Sequence, residues 1–372
     1  MSTHDVVSLE QLRELATEQE HSVSIYLRTD PREPDEARTG LKSALDQAIR
    51  ELREAGLSNA QEEGLREQLS AVENSGRWGE LSGSIALFLT PTSHRFFVLV
   101  NALESSTTAG RWFELGPLLR AATAPQEALA LTLSQEGWQL WHATAAARAA
   151  EVQTDPDHPQ DIADATNRAT VRDRGHVRRL VGDEGRTVLL EKYAKRVAEA
   201  VVTEADALDA ERTVPLVIFS ASPLLELAVA EDYGRPVRSV SGAADELTDH
   251  EIDAALRGVL DELNAERAAA LAEEYMDGDT AGRVSTDAAE LGRAAVAGAV
   301  DTLLFDFTAT LTGELDDVTG EIEFLDNGHD LLAQLALAVV ERDGTVLAVR
   351  PGEAGSFRDG SPILARLRHA LV

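Results

Sequence analysis

Apolar residues recur along most of the chain with the spacing of helices or the alternation of strands. Over residues 23–27, VSIYL, apolar and polar side chains alternate, which predicts a strand. The spacing of Leu41, Leu45, Ile49 and Leu52 predicts an amphipathic helix, which Gly56 ends. Four further elements are predicted in this region: helices opened by capping boxes at Ser8 and Ser58, and strands over 84–90 and 95–101.

The following stretch alternates between apolar strands and helices. Two apolar runs, 128–134 and 138–143, are joined by a short turn and predict a hairpin. The almost wholly apolar run 214–220 predicts a buried strand. The other predicted elements are a helix over 187–209, a helix with Ser222 as N-cap and Pro223 as its first residue, a strand over 238–240, and a helix from Thr248 through Leu263. This alternation favours a mainly parallel sheet with helices on its faces.

The last stretch, residues 287–369, also contains both predicted helices and predicted strands. A helix over 287–296 ends at Gly298 and leads into a strand over 299–305. A second helix over 330–342, a strand over 345–349 and a closing helix over 362–369 complete the pattern. We therefore expect an α/β protein of three domains, at 1–123, 124–262 and 263–372.

Composition narrows the chemistry. The 372 residues include 65 acidic and 34 basic side chains, for a net charge of −31, and no cysteine. A chain without cysteine has no disulfide, thiolate nucleophile or cysteine-ligated metal. The N-terminal residues lack the features of a signal peptide, and no apolar run approaches the roughly 20 residues of a membrane span. We expect a cytoplasmic protein that does not contact membranes.

No motif for a cofactor, a metal or a catalytic triad is present. Residues 182–187 precede a helix but lack the lysine of a phosphate-binding loop. Ser222 is interpreted as a helix cap rather than a nucleophile, and Trp138 and Trp141 as structural residues on opposite faces of a strand. The acidic residues near position 316 favour a solvated loop over a calcium site; they are Glu314, Asp316, Asp317, Glu321 and Glu323. We expect no cofactor and no metal.

One segment contains more basic than acidic side chains, unlike the chain as a whole. Between Arg168 and Arg196 nine basic residues accompany four acidic ones. The basic residues are Arg168, Arg172, Arg174, Arg178, Arg179, Arg186, Lys192, Lys195 and Arg196, and His176 lies among them. Residues 153–186 lack a sustained hydrophobic period, which predicts a long loop. Two interpretations stay open: the basic side chains contact RNA phosphates, or they pair with carboxylates of this acidic chain.

Several segments resemble the archaeo-eukaryotic peptide-chain release factors, the Pelota proteins and their bacterial relatives. In the last region the resemblance rests on 298–304, GAVDTLL, on 343–346, DGTV, and on 363–368, ILARLR. Further upstream it rests on VSIYL at 23–27, on PLL at 117–119, on LTLS at 131–134 and on PLVIF at 215–219. The order and spacing of these segments extend the resemblance over nearly the whole chain.

The resemblance implies a fold and a setting. The middle domain would hold a ribonuclease-H-like sheet with helices, and the last would be an α/β sandwich like the ribosomal proteins that bind kink-turn RNA. The expected partners are the ribosome, tRNA and a translational GTPase. The basic loop 153–186 would face the tRNA acceptor end and ribosomal RNA.

The chain departs from this family at the hydrolysis motif. Where release factors carry Gly-Gly-Gln, this sequence has Gly182, Asp183, Glu184 and Gly185, and no glutamine lies between Gln160 and Gln334. The stop-codon motif Asn-Ile-Lys-Ser is also missing. A non-hydrolytic factor for rescue, stress or hibernation is therefore expected. The alternatives are an ester hydrolase with a diverged loop and a protein-interaction adaptor acting through the acidic last domain.

Overall fold

The computed structural model describes residues 4–166, 183–277, 282–326, 328–354, 357 and 360–370, without the side chains of 183–186. The chain divides into two compact units. Unit 1 comprises residues 1–125 and 261–372, and unit 2 comprises residues 126–260. The three-domain division stays a prediction.

The first part of unit 1 is an antiparallel sheet in the order β3-β2-β1-β4, with helices packed on it. Its elements are α1 (Leu9–Leu15), β1 (Ser22–Arg28), α2 (Pro34–Glu54), α3 (Asn59–Glu73), β2 (Ser84–Leu89), β3 (His94–Leu99), β4 (Ser106–Gly110) and α4 (Gly116–Thr123). Both capping boxes form as predicted, since Ser8 and Ser58 each exchange bonds with a glutamine three residues later. Strand β4 was not predicted, because its five residues are small and include no large apolar side chain.

Unit 2 contains a five-stranded sheet in the order β7-β6-β5-β8-β9. Its elements are β5 (Ala128–Leu133), β6 (Trp138–Ala143), β7 (Ala150–Glu151), α5 (Ile162–Ala165), α6 (Asp183–Leu208), β8 (Leu216–Ser220), α7 (Leu224–Val229), β9 (Val237–Ser241) and the start of α8 (Asp249–Asp277). The predicted hairpin is confirmed as β5 and β6. Strands β5, β8 and β9 are parallel while β5, β6 and β7 are antiparallel, so the sheet is mixed rather than mainly parallel.

One detail of the unit 2 prediction was wrong. Pro223, not Ser222, occupies the N-cap position of α7, and the Ser222 hydroxyl instead donates to Glu226 at 2.6 Å. The helix predicted from Thr248 through Leu263, inside a longer helical stretch, continues to Asp277, because no glycine or proline interrupts it after Gly258. Its residues from Asp261 onward belong to unit 1.

The second part of unit 1 adds a sheet in the order β10-β16-β11-β15 and a small sheet in the order β13-β12-β14. Its elements are β10 (Val284–Ser285), α9 (Ala288–Val296), β11 (Val300–Asp306), β12 (Thr312–Leu315), β13 (Ile322–Phe324), β14 (His329–Asp330), α10 (Leu331–Val340), β15 (Thr345–Val349) and β16 (Ile363–Leu367). The predicted closing helix over 362–369 was wrong. That segment is β16, a strand between β10 and β11 that is buried on both faces, so its apolar run has no period to distinguish strand from helix. The α/β class is confirmed.

Candidate nucleic-acid interface

Helix α6 is held on unit 2 by one apolar face. Leu190, Tyr193, Val197 and Val201 recur at helical spacing and are at most 1% exposed. They pack in one cluster with buried side chains of β5 and β8 such as Leu131 and Ile218. The opposite face of α6 is thereby fixed toward solvent.

That outer face carries the basic residues of the predicted site that the structure describes. Lys192 and Lys195 are exposed and Arg196 is partly buried. Val188, which is 61% exposed, lies one turn before Lys192, so the three positions 188, 192 and 195 follow one helix face. The face therefore combines the ammonium groups of two lysines with one exposed aliphatic side chain.

Within the described ranges, no carboxylate forms an ion pair with Lys192, Lys195 or Arg196. Elsewhere arginines commonly pair with acids: Arg66 with Asp46 at 2.8 Å, Arg77 with Asp5 at 2.8 Å, and Arg212 with Asp206 at 2.6 Å. In a chain with 65 acidic residues, such pairing is the expected fate of a basic side chain. The three on α6 keep their charge available to an outside anion.

The segment at the position of the hydrolysis motif is partly helical. Asp183, Glu184, Gly185 and Arg186 form the first turn of α6, where a loop was predicted. The N-terminal end of a helix dipole carries a partial positive charge and therefore favours acidic residues. This explains why the helix begins before Thr187. Gly182 lies outside the described residues.

The remaining predicted site residues also fall outside the described residues. They are Arg168, Arg172, Arg174, His176, Arg178 and Arg179. The chain enters this stretch after Thr166 and leaves it at Asp183, so both ends attach to unit 2. The prediction that these residues bind RNA stays a prediction.

The first half of the predicted loop 153–186 is folded onto unit 2. The Trp138 indole donates to the Pro159 carbonyl at 2.6 Å. Glu204 of α6 accepts from the Asp155 amide at 2.8 Å and lies 3.0 Å from the His158 ring. Ala165 of α5 is fully buried. A segment without hydrophobic period is thus anchored by polar contacts that sequence periodicity does not reveal.

The other candidate residues are structural. Trp138 and Trp141 lie on opposite faces of β6, as predicted, each in a different cluster. The Asp316 carboxylate accepts from the amides of Val318 and Thr319, and these bonds lower its pKa. In the part of the chain that the structure describes, no three acidic or histidine side chains are grouped as metal ligands require. No helix of that part is long and apolar enough to cross a bilayer.

Sequence reasoning missed a buried arginine cluster in unit 1. The Arg120 guanidinium, on α4, donates to Glu353 at 2.6 and 3.0 Å, to Asp261 at 2.8 Å and to the Ala348 carbonyl at 2.9 Å. Arg350 bonds to the same two carboxylates, at 3.1 Å to Asp261 and 3.0 Å to Glu353. These bonds join α4, α8 and β15.

A second missed feature is the stacked pair Trp112 and His329. Their rings lie 4.4 Å apart and nearly parallel. Burial lowers the pKa of His329 to about 4, and burial, with a smaller contribution from Glu114, raises the pKa of Asp330 to about 6. Neither could be found from sequence, because their contacts come from residues more than 200 positions away.

Comparison with known families shows which family unit 2 resembles. Residues 125–266 match the model of the bacterial archaeo-eukaryotic release factor family 11. The middle region is release-factor-like. For residues 125–266 this match confirms the resemblance drawn from the sequence, and its limits nearly coincide with those of unit 2.

Solved structures of the same group also match. An archaeal translation termination factor, aRF1, is 13% identical over 97% of this chain and 98% of its own, with a TM-score of 0.26. Archaeoglobus fulgidus Pelota is 13% identical over 77% and 79%, with a TM-score of 0.35. Saccharomyces cerevisiae Dom34, a translation termination-like factor that interacts with Hbs1, is 12% identical over 77% and 79%, with a TM-score of 0.34. No argument rests on likeness at these scores, and no curated protein sequence matches this chain.

Proposed function

We propose that this protein is a cytoplasmic translation factor that binds the ribosome or tRNA through unit 2. The observation that carries the proposal is the family match over 125–266, the segment that contains the basic run 168–196. The available charges of Lys192 and Lys195 support it, because phosphate contacts need basic groups that are not already neutralised. As the family resemblance implies, the partners would include a translational GTPase.

The role we propose is non-hydrolytic. Release factors use the glutamine of Gly-Gly-Gln to position a water at the peptidyl-tRNA ester, and this chain holds acidic residues there. A carboxylate at that position would also repel phosphate. These residues support a function in rescue, stress or hibernation, in which the factor would occupy the ribosome without releasing a peptide.

The acidic remainder of the chain would restrict where RNA is bound. A net charge of −31 repels nucleic acid at long range, so contact is favourable only where basic residues outnumber acids locally. Residues 168–196 are that place, with nine basic and four acidic side chains. We therefore expect one RNA-facing surface on unit 2.

The deciding experiment is co-sedimentation of the purified protein with bacterial ribosomes at low and moderate salt. We expect binding that weakens steeply with salt, because released counterions drive phosphate contacts. The variant K192E/K195E should bind less and have a salt slope smaller by roughly 1–2, as expected for two lost phosphate contacts. A triple reversal of Arg174, Arg178 and Arg179 should weaken binding further.

The matched control is R32E/R111E. Both arginines lie in unit 1, with side chains 70% and 68% exposed, and the double reversal changes the net charge by the same amount. Equal loss of binding in the control would show a general charge effect and contradict a unit 2 interface. Release of peptide from peptidyl-tRNA by the native protein would contradict the non-hydrolytic role.

A further inference from the structure

Three large apolar side chains are exposed on the hairpin formed by β12 and β13 or directly beside it. Val318 is 81% exposed, Phe324 57% and Leu325 38%. In the described chain only four other large hydrophobic side chains are comparably exposed, and they are scattered along it: Val6, Val188, Leu208 and Val229. We call Val318, Phe324 and Leu325 the hairpin patch.

The hairpin that carries the patch is firmly attached to unit 1. The Gln334 side chain, on α10, accepts from the Leu315 amide at 2.9 Å and donates to the Gly313 carbonyl at 3.1 Å. Ile322 of β13 packs on the main core cluster of the unit. Because backbone bonds and core contacts hold both strands, the patch is displayed on a rigid support.

The turn between the strands is also well defined. The Asp316 carboxylate accepts from the amides of Val318 and Thr319 at 2.9 and 2.6 Å, and the Asp316 carbonyl accepts from Gly320 at 2.9 Å. Gly320, at φ +73°, lies so close to α9 that a Cβ would be 2.5 Å from the Arg293 Cα. Val318 is therefore held outward at the tip.

Carboxylates surround the patch. Between residues 312 and 326 the sequence has six acidic side chains and no basic one: Glu314, Asp316, Asp317, Glu321, Glu323 and Asp326. Glu314 and Glu323 are direct cross-strand partners, and like charges at such positions destabilise a hairpin. Among the described residues, none of these six carboxylates has a basic partner within ion-pair distance. The arrangement is costly in the free protein and becomes favourable beside cations.

We propose that the hairpin patch docks on a positively charged protein surface that offers separate apolar contacts to Phe324 and to Val318. Charge complementarity selects this partner: nucleic acid and anionic lipid would be repelled by the six carboxylates, and a second copy of this chain is repelled by its net charge of −31, its basic run 168–196 being the surface that we propose faces RNA. Aromatic anchors in apolar pockets supply most of the energy of small interfaces, and the acidic rim supplies rate and orientation.

The area is small. Three side chains form only the centre of an interface, and contacts of this size belong to transient complexes. We therefore expect weak binding that depends on salt, with the apolar and acidic contributions separable by substitution.

The test uses the full chain and a fluorescein-labelled peptide that alternates lysine with leucine, followed by fluorescence anisotropy. Two reference peptides replace either leucine by serine or lysine by glutamate. We expect saturable binding of the lysine–leucine peptide, weaker binding of the lysine–serine peptide and none of the glutamate–leucine peptide. The variant V318S/F324S should raise Kd about tenfold, and E314Q/E323Q should reduce the salt dependence.

The control is V229S, which removes an exposed valine from unit 2, 42% exposed in the native chain. All substituted side chains are exposed, and circular dichroism checks that each variant is folded. Absence of peptide binding, or equal binding by V318S/F324S and the native chain, would overturn the proposal. So would sedimentation showing a dimer that F324S dissociates, since the occupant would then be a second copy.

Discussion

At the scale of single residues, Gln334 shows how one polar side chain explains an irregular sequence pattern. It interrupts the otherwise apolar helix α10, whose other residues are almost all buried. Its side-chain amide hydrogen-bonds to both the N–H of Leu315 and the C=O of Gly313. It therefore pairs with the backbone of β12 as a peptide group of a neighbouring strand would. A buried backbone group without a partner is costly, and Gln334 removes that cost for two of them.

We predict that Gln334→Leu lowers the free energy of unfolding by about 1–3 kcal/mol, because two backbone groups lose their partner. Gln334→Glu should also be destabilising at neutral pH, since a carboxylate still accepts from Leu315 but cannot donate to Gly313 and adds a negative charge beside the acidic hairpin. Urea denaturation of both variants measures the difference. Equal stability of Gln334→Leu and the native chain would show that water replaces the side chain.

His329 and Asp330 are adjacent buried groups whose pKa values move in opposite directions. The pKa of His329 falls from 6.5 to about 4. The stability linked to its neutral form is therefore present above pH 6.5 and is lost as the pH falls toward 4. The pKa of Asp330 rises from 3.8 to about 6, so the stability linked to its protonated form is present below pH 3.8 and is lost as the pH rises to 6. Between pH 4 and 6 the two contributions oppose each other.

We predict that substituting either residue reveals the pH dependence of stability that the other one contributes. Relative to the native chain, His329→Gln should gain stability as the pH falls from 6 to 4, by up to about 1.4 kcal/mol per pH unit, because one unbalanced proton remains. Asp330→Asn keeps a capping side chain for α10 and should show the opposite slope. Denaturation at several pH values checks both, and parallel profiles for the three proteins would contradict the linkage.

At the scale of elements, Arg120 ties together three pieces that are distant in sequence. Its side chain is 5% exposed, whereas those of Asp261 and Glu353 are 43% and 17% exposed. The Phe307 ring lies 5.7 Å from the Arg120 guanidinium and 6.0 Å from that of Arg350. Helices α4 and α8 and strand β15 therefore share one charged junction.

We predict that Arg120→Met destabilises the protein by about 2–4 kcal/mol, below the full range for a buried pair because Asp261 is partly solvated. The control is Arg342→Met, which removes a surface pair with Glu341 at 3.4 Å and should cost at most about 1 kcal/mol. Thermal unfolding compares the two. Similar costs would mean that solvent screens the Arg120 junction as well.

At the scale of the whole molecule, unit 1 is assembled from both ends of the chain. One hydrophobic cluster contains Tyr26, Phe88 and Leu118 from the first part together with Leu303 and Leu332 from the second. Unit 2 has two clusters of its own, one on each face of its sheet. The cores therefore follow the two units, and the division into three domains stays a prediction.

We predict that residues 126–260 expressed alone unfold cooperatively, because their cores need no residue of unit 1. Residues 1–123 expressed alone should expose the shared cluster and bind a hydrophobic dye, since half of that core is missing. Circular dichroism with dye fluorescence measures both. A stable, dye-free fragment 1–123 would support the three-domain division.

The sequence alone determined what depends on neighbours along the chain. Capping boxes, the glycine ends at Gly56 and Gly298, the β5–β6 hairpin and the charge reversal between 168 and 196 are local signals, and so is the missing Gly-Gly-Gln glutamine. They were sufficient for the α/β class and for the resemblance that the match over 125–266 confirms.

Only the tertiary structure decided features whose partners are far apart in sequence. The strand β16 was taken for a helix because a run buried on both faces has no period, and pairing with β10 and β11 fixes it. The Arg120 junction, the Gln334 bridge and the shared core of unit 1 each join residues from separate stretches. Exposure of Val318 and Phe324 depends on what folds around them, which no local pattern specifies.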